Sequence, residues 1–239
     1  MRLTILGMNG PFPAPGGATS GYFLTAGESR IALDLGSGVL SRLTALAAPE
    51  ELTALLLTHW HYDHCADVLP LIYRLEACAK QPLHIYAPVD ENSLVRKAVQ
   101  VCKMIVLHDV RPGDGFTVGG VQVTAFAARH PVPAVMYRMA CDGRTFCYTG
   151  DTNTVEGLVD FAREADFLLA DGLFTEATWA EGKPHLSAAH VAQLAQDANV
   201  RRFVITHLNP AIDPATLLRE ARAIRIDAAL AASGDSYEV

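Results

Sequence analysis

Leu55-Leu56-Leu57-Thr58-His59-Trp60-His61-Tyr62-Asp63-His64 is an apolar run that ends in three histidines and one aspartate within six positions. Imidazole nitrogen and carboxylate oxygen together suit zinc, iron or manganese. His59 and His61 are two apart, so on a helix they would diverge, whereas just past a strand they can converge. The stretch therefore differs from a helical His-Glu-x-x-His site, whose two histidines share one face. A structural zinc site would normally bring paired cysteines, and none are present here. The bland alternative is a polar, His-rich surface loop. Ligands elsewhere in the chain argue against it.

Those ligands come from segments that share one layout. Phe146-Cys147-Tyr148-Thr149-Gly150 leads to Asp151, and Phe203-Val204-Ile205-Thr206 leads to His207, just as Leu55–Thr58 leads to His59. Each is a short apolar strand whose next polar side chain is a candidate ligand, and a strand end on a packed sheet is rigid enough to hold one. His130 follows the strand-like Val121–Ala127, and Pro131 fixes the chain behind it. Taken singly, each position would more readily be a core or capping residue. Asp34, in Asp34-Leu35-Gly36-Ser37-Gly38, is either a turn-capping aspartate or a carboxylate that orients a metal ligand. Cys65 reads as a small buried side chain rather than a ligand, and His190 as packed or solvated. His84 and His108 have no partner legible in the sequence.

Hairpins and helices alternate along the chain. Residues 2–6, Tyr22–Thr25 and Arg30–Leu35 read as strands, the last two joined at Gly27-Glu28. Leu52–Thr58, His84–Ala87, Phe116–Val118, Val121–Ala127, Val135–Met139, Thr145–Tyr148, Asp166–Ala170 and Arg202–Thr206 follow as strands. Helices are expected over Val39–Ala47, Val68–Ala79 (opened by Asp67), Asn92–Lys103, Val155–Glu164, Ser187–Ala198 and Pro214–Ala223. Ser187 is the expected N-cap of its helix, and Asp213 precedes the first-turn proline of the last. So many hairpins exclude a purely parallel sheet. An α+β fold of two mixed β-sheets with helices outside fits better.

The 239 residues suffice for one large domain, residues 1–239, with a sizeable core. A net charge of −7 leaves no overall basic footprint for nucleic acid or an anionic membrane. Five cysteines, an odd number without a Cys-x-x-Cys pair, are simplest as reduced thiols. With no signal-peptide pattern and no apolar run of membrane-spanning length, the expectation is a cytoplasmic protein without a membrane partner.

His59-x-His61-x-Asp63-His64 meets in full the signature of the metallo-β-lactamase superfamily, which the chain resembles nearly end to end. His130, Asp151 and His207 fall in the family's order. The phrases Asp34-Leu35-Gly36-Ser37-Gly38 and His185-Leu186-Ser187-Ala188 are most similar to the RNase Z-like branch. The resemblance implies a four-layer αββα sandwich with the site at one edge between the sheets. It also implies two divalent metal ions, zinc first, with manganese or iron admitted. One ion is held by His59, His61 and His130, the other by Asp63, His64 and His207, and Asp151 bridges them. Two such cations share a hydroxide nucleophile and stabilise charge on the transferring group. Asp63 and His185 are then the catalytic candidates: Asp63 orients or deprotonates the nucleophile, and His185 protonates the leaving oxygen. A homodimer is a further implication of the resemblance.

The departures from tRNA-processing members refine the expectation. Those enzymes carry a long tRNA-gripping arm between the third histidine and the bridging aspartate, and here one hairpin fills that interval. They also usually have glycine where this chain has Tyr62, and the acidic balance gives no extended basic surface. The expectation is a dinuclear phosphodiesterase acting on a small or cyclic phosphate ester, or a nucleic-acid-related diester, with tRNA itself disfavoured. Its rival is a carboxylic acyl hydrolase (lactonase, thioesterase or β-lactamase) on the same metals, and a non-catalytic scaffold is the third class. A redox di-iron role is disfavoured by His61, where that variant usually has glutamate. The loops Gly7–Gly21, Val132–Ala134 and Leu173–Pro184, with Phe12, Phe174 and Trp179, form the expected pocket rim.

Overall fold

Strands that are apolar at every position can be buried on both faces, and the parallel halves of two sheets use them so. A computed structural model describes residues 1–239. The first sheet contains β1 (Arg2–Gly7), β2 (Gly21–Ala26), β3 (Ser29–Leu35), β4 (Ala54–Leu56), β5 (Leu83–Pro88) and β6 (Ile105–Val110). The second contains β7 (Gly115–Val118), β8 (Val121–Ala127), β9 (Val135–Cys141), β10 (Arg144–Tyr148), β11 (Phe167–Asp171), β12 (Arg202–Thr206) and β13 (Ala229–Leu230). The chain then returns to edge the first sheet with β14 (Ser236–Glu238). The orders are β14-β1-β2-β3-β4-β5-β6 and β13-β12-β11-β10-β9-β8-β7. Each sheet is antiparallel in one half and parallel in the other, the change falling at β3 and β4 in the first and at β10 and β11 in the second.

Side-chain alternation assigns the layers. Ile31, Leu33, Ala54 and Leu56 meet Phe146, Tyr148, Phe167 and Leu169 between the sheets. Their neighbours Ala32, Leu35, Leu55 and Leu57 face outward onto α1 (Val39–Leu43), α3 (Val68–Cys78) and α4 (Leu94–Val101). On the other side Leu168, Ala170, Phe203 and Ile205 face α5 (Leu158–Ala162), α6 (Ala188–Asp197) and α7 (Pro214–Arg222). The result is the αββα sandwich expected from the sequence. The short α2 (Tyr62–Cys65) belongs to the histidine-rich stretch and to neither helical layer's main packing. No helix is long and apolar enough to cross a membrane.

Several boundaries differ from the sequence reading. The segment Ile105–Val110 has no assignment in the sequence because His108 and Asp109 break its apolar pattern; it forms β6 by parallel pairing with β5 at the sheet edge. The helix expected over Val39–Ala47 closes at Thr44, and the one over Val155–Glu164 begins only after Gly157. Asp67 does not cap its own helix. Its carboxylate accepts from the Leu40 amide at 2.8 Å and so serves the first turn of α1 across the layer. Ser187 and Asp213 do cap α6 and α7, accepting from the His190 and Ala215 amides.

Phe146 is fully buried between the sheets, edge-on to Phe167 at 6.0 Å. Phe146→Ala is expected to lower stability by about 3–5 kcal/mol, whereas Tyr73→Ala should stay within about 0.5 kcal/mol. Tyr73 is 76% exposed on α3. Denaturant unfolding of the two variants beside the parent checks the difference; equal midpoints would remove Phe146 from the core.

Candidate metal centre

The loops that leave β4, β8, β10 and β12 deliver His59, His130, Asp151 and His207 to one edge of the sandwich. His61 lies at the entry of α2, with Asp63 and His64 inside it, so a single helical turn past β4 adds three more donors. The donor atoms fall into two groups that share one residue: His59, His61, His130 and Asp151, and Asp63, His64, Asp151 and His207. A third group joins Asp171, His185 and His207. All seven residues expected as ligands therefore converge, and His185 stands beside them.

In the first group His59 Nε2 is 3.1 Å from His61 Nδ1, which is 3.0 Å from His130 Nε2. Asp151 Oδ2 lies 3.6 Å from His59 Nε2 and 3.9 Å from His130 Nε2. Four donors around one tetrahedral zinc ion are about 3.4 Å apart, so these separations match a cation's first sphere. Hydrogen bonds on the far side of the rings leave the facing nitrogens bare. His130 Nδ1 donates to the Pro184 carbonyl at 3.3 Å, and His59 Nδ1 pairs with Thr58 Oγ1 at 3.1 Å. A single proton on His61 Nδ1 cannot satisfy both neighbours, and a cation satisfies all three.

The second group gives the same result. His64 Nε2 is 3.0 Å from Asp151 Oδ1 and 3.8 Å from Asp63 Oδ2, and His207 Nε2 is 3.7 Å from Asp63 Oδ2. Asp63 Oδ2, His64 Nε2, Asp151 Oδ1 and His207 Nε2 are all buried without a hydrogen-bond partner; the 3.0 Å approach of His64 lacks hydrogen-bonding geometry. Four orphaned donors aimed at one point are costly unless something positive sits there. Asp34, Asp63, Asp151 and Asp171 lie in or beside the site, and no lysine or arginine pairs with any of them. The residues present fit divalent metal ions.

Protonation follows from burial and this negative field. Burial holds His59 and His207 well below the usual imidazole range and brings His130 to about 4, which keeps all three as neutral lone-pair donors. Burial opposes charge on His64 too, but Asp151, Asp34 and Asp63 outweigh it and raise its proton affinity well above normal. Burial opposes ionisation of Asp151, yet His207 and His64 hold it well below the usual carboxylate range. Asp63 is raised by burial and by the Asp151 charge. The field that draws a proton to His64 would draw a metal cation equally.

Asp34 resolves as the carboxylate that orients ligands. Its Oδ2 takes His64 Nδ1 at 2.7 Å, the Thr58 hydroxyl at 2.9 Å and the Tyr148 hydroxyl at 2.6 Å, while Oδ1 accepts from the Thr58 amide at 2.7 Å. His207 is steadied by Ser20 Oγ at 3.0 Å from Nδ1. Gly10 packs so close to the His207 ring that a β-carbon there would lie 2.2 Å from it. Ser20, Thr58 and Tyr148 escaped the sequence reading, since hydroxyls carry no motif of their own.

Asp171 also escaped it, although its signal was present. Phe167-Leu168-Leu169-Ala170 is an apolar strand followed directly by a carboxylate, the layout that singled out His59, Asp151 and His207. Asp171 Oδ2 accepts from His185 Nδ1 at 2.8 Å. Burial lifts Asp171 to about 6. Burial works against charge on His185, but the Asp171 carboxylate overcomes it and lifts His185 to about 9. Cys65 is no ligand; its thiol donates to the Trp60 carbonyl. His190 stacks on Trp179 and pairs with Ser187 and Glu176, outside the donor groups. His84 and His108 pair with each other at 2.8 Å across β5 and β6.

The model of the beta-lactamase superfamily domain matches residues 29–208. The chain is 28% identical to the probable metallo-hydrolase YhfI of Bacillus subtilis, over 87% of each chain. The YhfI crystal structure superposes with a TM-score of 0.93 at 27% identity, covering 100% of this chain and 98% of that one. Ribonuclease Z of Haloferax volcanii is 27% identical over 100% of this chain and 95% of its own. The crystal structure of human short-form tRNase Z shares the fold, with a TM-score of 0.82 at 21% identity over 100% of this chain and 99% of that one.

Asp34→Asn keeps the shape and tolerates the positive φ of 53° at this position, but its single amide oxygen cannot accept from both His64 and the Thr58 amide. Competition with a chromophoric chelator is expected to show metal affinity lower by about 10–100-fold, with circular dichroism unchanged. Parental affinity would relieve Asp34 of any part in orienting ligands.

Proposed function

The chain belongs to the β-lactamase superfamily, and on that premise we propose that it is a dinuclear metal-dependent phosphodiesterase acting on a small or cyclic phosphate ester. His59, His61 and His130 would hold one ion and Asp63, His64 and His207 the other, with Asp151 between them; zinc is the first expectation for these nitrogen and oxygen donors. Bound in this way, two divalent cations supply Lewis acidity toward a phosphoryl oxygen and an acidified water.

The chain's own residues supply the proton traffic. Asp63 is the most exposed carboxylate of the two donor groups, its side chain 11% accessible against 2% for Asp151, and its oxygen can receive the proton of the attacking water. His185 lies on the opposite flank. Its Nδ1–H is committed to Asp171, which fixes the ring and leaves the Nε2 proton of the imidazolium for a departing alkoxide. The ring of His185 stacks on His207 with centroids 5.1 Å apart, which places it over the donor groups rather than in a separate pocket.

The observation that carries this reading is the buried His185–Asp171 pair beside the metal donors. Acyl transfer expels an amine, alkoxide or thiolate whose need of an acid varies, whereas an alkyl phosphodiester expels a poor leaving group that requires one. The chain has only the β9–β10 hairpin between His130 and Asp151, and its alignment with the Haloferax enzyme is longer than the chain itself. That enzyme thus carries segments this one lacks, which supports a small ester over tRNA.

Protein analysed for metal should contain about two ions per chain and hydrolyse bis-p-nitrophenyl phosphate in preference to a lactone or a β-lactam. His185→Ala is expected to lower kcat on a dialkyl phosphodiester, where an alkoxide must leave, by about 100-fold or more, with metal content retained. Asp171→Asn should lower kcat with little change in KM, since Asp171 acts through His185. Faster turnover of the lactone or lactam, indifferent to both variants, would reassign the protein to acyl hydrolysis.

A further inference from the structure

Two cavities open on either side of His130 and Pro131, and they differ in chemistry. The larger, about 530 Å³, is walled by Pro88, Pro112, Pro131 and Pro133 with Val89 and Val132, and of its twelve lining residues only Arg111 and His130 carry a polar side chain. Proline has no backbone N–H, and valine has one favoured rotamer in most settings. The wall is therefore stiff and, outside Arg111 and His130, poor in side-chain hydrogen-bond donors. A group rich in hydroxyls would lose water there without replacement, while a flat apolar group would lose nothing.

The smaller cavity, about 220 Å³, is lined by Arg129, His130, Pro131, Gly182, Lys183 and Pro184. It brings two cations together in a chain of net charge −7. Neither is neutralised at close range. Arg129 has only Glu181 at 3.9 Å, a carboxylate that is 81% exposed, and Lys183 donates to the Thr178 carbonyl while its ammonium lies 4.8 Å above the Phe174 ring. Phe174 is in turn edge-on to His185 at 5.7 Å, so this cationic corner adjoins the proposed acid. The metal cations already answer the charge of a phosphodiester. Two further cations beside them, neither held in a close ion pair, call for a second anionic group.

Resting on the phosphodiesterase reading, we propose that the substrate is an unsymmetrical phosphodiester, with an apolar ester group in the Pro/Val cavity and an anionic substituent of the other ester group against Arg129 and Lys183. The arrangement suits one carboxylate or phosphate on a small molecule, since two cations in a small recess make no track for a polyanion.

The test compares p-nitrophenyl phenyl phosphate with p-nitrophenyl 4-carboxyphenyl phosphate on the metal-loaded enzyme, and in parallel the calorimetric affinity of phenylphosphonate and 4-carboxyphenylphosphonate. The carboxylate should lower KM, and Kd of the phosphonate, by about three- to tenfold in the parent, as two partly exposed ion pairs allow. Arg129→Gln/Lys183→Gln should abolish that advantage, with a smaller change in KM for the ester that lacks the carboxylate, and Lys183→Arg should retain it. Val132→Asp should raise KM for both esters. No preference for the carboxylate, or a preference that survives the double substitution, overturns the proposal. The phosphonates need no turnover, so failure of the diesterase reading, seen as hydrolysis of neither ester, is read separately from failure of the Arg129/Lys183 assignment.

Discussion

One buried carboxylate joins most of what makes the site possible. Asp34 closes β3 in the first sheet, yet its oxygens receive the Thr58 amide and hydroxyl, the His64 ring and the Tyr148 hydroxyl from β10 of the second sheet. It therefore fixes the exit of β4, the rotation of a candidate ligand and the spacing of the two sheets at a single point. Although wholly buried, both of its oxygens are met by hydrogen-bonding partners, so neither is left unsatisfied. Its backbone lies at a φ of 53°, as does His207 at 58°, and non-glycine residues adopt this region at a cost of order 1–3 kcal/mol each. Asp142, Glu164 and Asn199 share this region in turns, but Asp34 and His207 hold it inside the site, where their hydrogen bonds over-determine them.

The second constraint is the sandwich edge itself. Parallel strands end together, so β4, β11 and β12 release their chains on one side, and the adjacent end of β10 releases there too. Backbone groups past a strand end have lost their ladder partners, and side chains there are the first free to converge. Tyr22 from β2 meets Thr206 from β12 at 2.8 Å, and Ser20 meets His207, so the loops before β2 are pinned to the second sheet from the opposite direction. The donor atoms are thus held by two sheets clamped against each other, and no single loop decides their separation.

Legibility in the sequence tracked how local each signal was. The layout of an apolar strand followed by a ligating side chain needs only consecutive residues, and it located His59, Asp151 and His207; applied once more, it would have located Asp171. Strand β6 was invisible because its order comes from pairing with β5, while its own His108 and Asp109 deny it an apolar pattern. Asp67 carried a genuine capping signal, but the amide it serves belongs to Leu40, 27 residues earlier in the chain. The partners of His84 and His108 were hidden for the same reason: parallel register, which no single stretch encodes, pairs His84 with Val106 and His108 with Tyr86 and leaves the two imidazoles as diagonal neighbours.

The chemistry and the selectivity of this protein rest on different physics. The donors sit on strand ends with far-side hydrogen bonds from Thr58, Asp34, Pro184 and Ser20, so a change in any loop tip leaves their geometry largely intact. The walls around His130 come instead from the ends of β5, β6 and β9 and the loops beside them, residues 88–89, 110–112, 131–135 and 182–184, where proline supplies stiffness that a ladder supplies within a strand. Stiff loops can be exchanged without disturbing the sheets, which makes substrate choice a separable property of the fold. Two backbone positions link them: Pro131 follows His130 and forms part of both cavities, and Pro184, in the smaller cavity, accepts from His130 Nδ1. Any substitution that freed Pro131 would therefore disturb the lining of both cavities and the aim of His130 together, whereas Arg129 and Lys183 can be altered with the donor set left as it is.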